Sequence, residues 1–132
     1  MSEKVTTILR WIAVPFAAIL GAMIAAFMSY ILLTIIKPNP DLIDVIIPIV
    51  IIGFVRGTAF VFFGTVTAPK KKDVVIIVLA TLMVAYSIIA GIACAISHEW
   101  GDLITHICAI AGAIYMGTLS VDYKDKHVSP QQ

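Results

Sequence analysis

The chain has 132 residues, 61% of them hydrophobic and only 13% charged, with a mean hydropathy of +1.04. Soluble domains run at about 45–50% apolar and about 25% charged, and here the excess sits in long blocks, not at a period of two or of three to four. That pattern excludes an ordinary water-soluble domain and predicts an all-α, polytopic membrane protein.

A net charge of +1 gives no reason to expect nucleic acid as a partner. Cys94 and Cys108 both lie inside apolar runs. They make neither a disulfide scaffold nor a CxxC metal pattern, and each reads as a small buried hydrophobe.

The start, MSEKVTTILRW, is basic and then apolar as far as Ile36. This is too long for the 7–15 residues of a signal h-region, so it reads as a retained first span, Ile8–Ile36. A helix that long measures roughly 43 Å and must tilt or kink in ~30 Å of hydrocarbon, with Pro15 the expected kink. Ala18, Ala22 and Ala26 repeat at four, beside Gly21, and give it a close-packing face.

After KPNPD comes the second span, Leu42–Thr67. Asp41 and Asp44 suit a capped helix start, and Pro48 frees the Asp44 carbonyl from its helix bond. Gly53 and Gly57 form a GxxxG, with Gly64 seven residues later on the same face. Arg56 lies between those glycines.

APKKKD leads into the third span, Val74–Ile96, with Ser87, Gly91 and Ala95 in one row. SHEWG leads into the fourth, Asp102–Leu119, with Ala109, Ala113 and Gly117 in a row beside Gly112. Residues 1–120 are therefore expected to form one four-helix transmembrane domain. The polar stretch 121–132 is expected to be a disordered cytoplasmic tail.

Short links force sequential helices to be antiparallel neighbours, giving an up-down-up-down bundle. Lys4, Arg10, Lys70, Lys71, Lys72, Lys124 and Lys126 flank one side and only Lys37 the other. The positive-inside rule then puts both termini in the cytoplasm of an inner (plasma) membrane protein.

Arg56 is the main polar exception. It lies near mid-depth, where insertion costs ~2.5–3.5 kcal/mol, and no Asp or Glu shares its depth in any span. Tyr86, Ser87 and Tyr115 are the groups at matching depth. Arg56 is either satisfied by such groups and by carbonyls, or it attracts an anion into a polar pathway.

His98, Asp102 and His106 are spaced at i, i+4, i+8. They share a face if the helix begins near His98. The two histidines would then be about 12 Å apart, too far to hold one metal, which leaves an Asp102–His106 pair. No metal or other cofactor is expected.

Size and span count are similar to those of small exporters and channels built as dimers of four-helix subunits. The marker residues of those families, a membrane-embedded glutamate in the first span or asparagines in the spans, have no counterpart here. The expectation is a non-enzymatic membrane component, in contact with the lipid bilayer, that self-associates or packs in a larger membrane complex. The alternatives are a small anion or proton-coupled transporter using Arg56 and a metal or redox accessory protein.

Overall fold

The computed structural model describes residues 3–36, 42–69 and 71–127. They form four helices: α1 (Glu3–Ile36), α2 (Leu42–Thr67), α3 (Lys72–Ile96) and α4 (Trp100–His127). No strand occurs among the described residues. Each helix holds a window long and apolar enough to cross a membrane: Lys4–Ile36, Val45–Thr67, Lys72–Ile96 and Trp100–Leu119. In hydrocarbon only a helix or a closed barrel satisfies every backbone polar group, so these apolar blocks fold as the expected all-α bundle. The helices run unbroken through Pro15 and Pro48. Asp41 lies outside the described residues.

The carboxyl-terminal expectation needs correction. The sequence places the end of order near residue 120, but α4 continues to His127. Apolarity marks where hydrocarbon ends, not where a helix ends. VDYKDKH contains neither Gly nor Pro, and the next helix breaker is Pro130. Residues 128–132 lie outside the described residues.

Contacts fix the helix directions. Phe63 crowds Gly21, and Ala18 faces Gly64, so α1 and α2 are antiparallel. Thr105 meets Gly53 and Ala109 meets Gly57, so α2 and α4 run parallel. Gly91 faces Leu103 and His106, while Ile76 and Ile114 share a recess at the other end, so α3 and α4 are antiparallel. The result is up-down-up-down, but it is not a square ring.

Helix α2 touches all three others, whereas the backbone of α1 comes close to that of α2 alone among the described residues. The apolar window of α1 is 11% buried, against 33% for α3. All four helices contribute to one core, in which Val14 and Ala18 of α1 join Val61, Leu79, Met83, Ala109 and Ala113. Helix α1 reaches that core along the flank of α2, and most of its apolar window stays exposed.

Glycine sets the α2/α4 spacing. A Cβ on Gly57 would fall on the Ala109 carbonyl, and one on Gly112 would fall on the Phe54 carbonyl. Each helix therefore presses a glycine against the backbone of the other, the close approach that small residues permit in membranes. Thr58 Oγ1 sits in this seam, 3.0 Å from the Phe54 carbonyl and 3.3 Å from the Gly112 carbonyl, and ties the two helices.

The other glycines divide. Gly21 and Gly64 face the side chains of Phe63 and Leu79 at the α1/α2/α3 junction. Gly91 has ordinary contacts with α4. Gly117, expected to pack, has nothing within 4 Å of where a Cβ would stand. The row Ala109, Ala113, Gly117 leaves the seam at its last member because Ile76 and Ile77 of α3 border a recess there.

Helix α3 ends in a tight reversal. His98 N–H donates to the Ala95 carbonyl (3.4 Å) and Glu99 N–H to the Cys94 carbonyl (2.9 Å). His98 has φ 61°, the left-handed position that closes a Schellman cap. Glu99 then opens α4, its carbonyl accepting from Leu103 N–H at 3.1 Å.

Candidate functional site

Arg56 projects from α2 beside the glycine seam, about 60° round the helix from Gly53 and about 100° from Gly57. It lines a cleft of about 410 Å³ between α1 and α3, floored by α2. Ile19, Ala22 and Met23 form one wall, and Leu82, Met83 and Tyr86 the other, with Phe60 beside Arg56. The cleft exists because the backbones of α1 and α3 do not approach each other among the described residues. Bulky side chains on α2, unlike its glycines, hold both neighbours off.

Arg56 is half-buried. It makes no hydrogen bond or ion pair among the described residues. A guanidinium offers five N–H donors and keeps its charge at any physiological pH. In a medium of low dielectric constant that charge acts far more strongly on an anion than it would in water.

Of the three groups expected near Arg56, one reaches its cleft. Tyr86 lines the same walls and packs edge-on against His106, with ring centroids 5.8 Å apart. Ser87, the next residue, points into the bundle and is 1% exposed. Tyr115 does not line the cleft: it packs at a tilt on Phe54 at 5.6 Å and is 51% exposed. Depth along a span is readable from sequence, but the side of the helix that meets a given neighbour depends on which helices pack.

Ser87 differs from the other span hydroxyls. Ser29, Thr58, Thr65, Thr81 and Thr105 each donate back to the carbonyl four residues earlier. Ser87 Oγ has no hydrogen-bond partner among the described residues, and neither does buried His106 Nδ1. Both belong to the α3/α4 contact, since Gly91, one turn from Ser87, faces the His106 Cβ. Behind the Arg56 cleft, the bundle therefore holds two further polar atoms that none of the described residues bonds.

The i, i+4, i+8 face does not form. His98 lies in the reversal before α4, not on the helix, and its ring packs edge-on against Trp100 with centroids 6.4 Å apart. Asp102 and His106 share α4, but His106 Nδ1 takes no hydrogen bond from the pair.

Asp102 instead joins Cys94 and Glu99, whose ligand atoms lie within 4.8 Å of one another. The two carboxylates are exposed and the thiol half-buried. Sequence spacing hid this group because the Schellman reversal, not a helical period, brings Cys94 to Glu99. Both cysteines are free thiols. Phe60 and Met83, which shape the cleft, carried no sequence signal beyond their apolarity.

Fold and site together define the class: a small membrane protein of four apolar helices with one unpaired cation in a side cleft. The chain matches no protein-family model and resembles no curated protein or solved structure.

Proposed function

We propose that this chain is a non-enzymatic membrane component that accepts an anion at Arg56, as a small carrier or channel does. The observation that carries this reading is a guanidinium at the middle of α2, in a cleft open to its surroundings, with no carboxylate beside it among the described residues. Carrier sites in membranes commonly lie near the midplane, and Arg56 stands at the centre of the apolar window Val45–Thr67. The polar groups of the cleft are a guanidinium and a phenol, which suit binding better than bond-breaking chemistry.

Self-association gains less support. Gly53, Gly57 and Gly112 are spent on the α2/α4 seam, and Gly21 on α1/α2. A second copy also brings no carboxylate to the depth of Arg56, because none of the four apolar stretches contains one there. The negative group thus comes from another molecule. The flanking lysines favour an inner-membrane orientation with both termini cytoplasmic.

The test is anion flux into proteoliposomes. We expect the purified protein to support it and Arg56→Ala to reduce it about tenfold or more. Flux that survives Arg56→Ala with unchanged selectivity would refute the reading.

A further inference from the structure

The walls of the Arg56 cleft say which kind of anion it suits. Apart from Arg56 and Tyr86, every lining side chain is apolar. A small hydrated anion entering such a site loses water on all sides and regains one guanidinium and one phenol, which leaves most of its hydration unreplaced. An anion with an apolar tail has no such deficit. Its head takes the paired N–H groups of Arg56, the bidentate geometry that guanidinium offers a carboxylate. Its tail replaces lipid contacts with contacts to Met23, Phe60, Leu82 and Met83. About 410 Å³ falls within the range of small-molecule sites, which are characteristically apolar with few polar groups, and it is too slight to seat a further helix.

Access is lateral. Ile19, Met23, Leu82 and Tyr86 are each 51% exposed or more, and they stand at the two lips of the cleft. A molecule dissolved in the bilayer passes between α1 and α3 without crossing the packed core.

We propose that the Arg56 cleft binds a single-chain carboxylic acid drawn from the bilayer. This rests on the reading of Arg56 as an anion site and adds its substrate class.

The experiment uses the full chain in nanodiscs of neutral lipid, with decanoate as probe and its binding followed by carboxyl carbon NMR. We expect saturable binding that neither decanol nor chloride displaces. Arg56→Gln weakens it about tenfold or more, and Arg56→Lys, which keeps the charge but loses the paired donors, falls between. Met23→Trp, a change at a position 64% exposed and so tolerated by the fold, narrows the lip and weakens decanoate about threefold.

Displacement by decanol would overturn the proposal, because the head would then contribute nothing. Displacement by chloride together with indifference to Met23→Trp would also overturn it, while leaving Arg56 as an anion site. If decanoate and chloride both ignore Arg56→Gln, the substrate class and the anion reading fall together.

Discussion

The two sides of α2 are built on opposite terms. Toward α4, Gly53 and Gly57 remove side chains from the contact, so backbone meets backbone and Thr58 bonds across it. Toward α1 and α3, Arg56 and Phe60 project, so side chains fill part of the space and a cleft of about 410 Å³ remains. In a bilayer no hydrophobic force pulls helices together. Close van der Waals contact holds the first side shut, and its absence leaves the second side open. Rigid packing and an accessible charge thus coexist on one helix, with Arg56 next to Gly57 in sequence.

The seam is the part most easily broken. Gly57→Leu places a branched side chain on the Ala109 carbonyl, where backbone, not a flexible side chain, must yield. We expect a loss of about 3 kcal/mol in folding stability, the upper end for overpacking, read by detergent-denaturant titration. A Gly57→Leu protein as stable as the parent would show that α2 and α4 do not pack as described.

The opposite sign is expected at the adjacent residue. Arg56→Leu removes a charge that has no hydrogen bond or ion pair among the described residues. Insertion of the α2 segment should become about 2–3 kcal/mol more favourable, measured by glycosylation mapping, while anion binding is lost. If insertion worsens instead, Arg56 is held by a partner and the cleft is not an open site. A smaller gain is expected at Ser87→Ala. Its hydroxyl is buried and bonded to none of the described residues, so removal should stabilise by about 1 kcal/mol. A loss of similar size would mean that a buried water or ligand uses the hydroxyl.

The fold was largely legible because hydropathy reports burial in lipid directly, and four blocks with short links leave one simple topology. The GxxxG pair was legible too, since Gly53 and Gly57 have few other reasons to recur at four. The site was legible only as a residue. Arg56 stands out against its neighbours, but the choice between Tyr86 and Tyr115 as its companion turns on how the helices pack, which puts Tyr86 in the cleft and Tyr115 against Phe54. The histidine pattern failed for a local reason: a Schellman reversal consumed His98 and shifted the start of α4 past it. The tail failed because helix-forming residues continue beyond the hydrocarbon boundary.

The smallest predicted effect is the sharpest probe of where the tight side ends. Ala109 and Ala113 are 1% and 0% exposed, and Gly117 continues their row by helical spacing, yet a Cβ there would meet nothing within 4 Å. Alanine at 117 therefore meets no obstacle and removes the backbone entropy that glycine carries in a helix, a gain of about 0.5–1 kcal/mol. The same substitution at Gly57 meets the Ala109 backbone and should cost about 2 kcal/mol. Measured side by side, the two alanines differ in sign, so the outcome does not depend on absolute calibration. If Gly117→Ala proves as costly as Gly57→Ala, the row is covered along its whole length. The surface covering its last turn would then belong to another molecule, since none of the described residues reaches it.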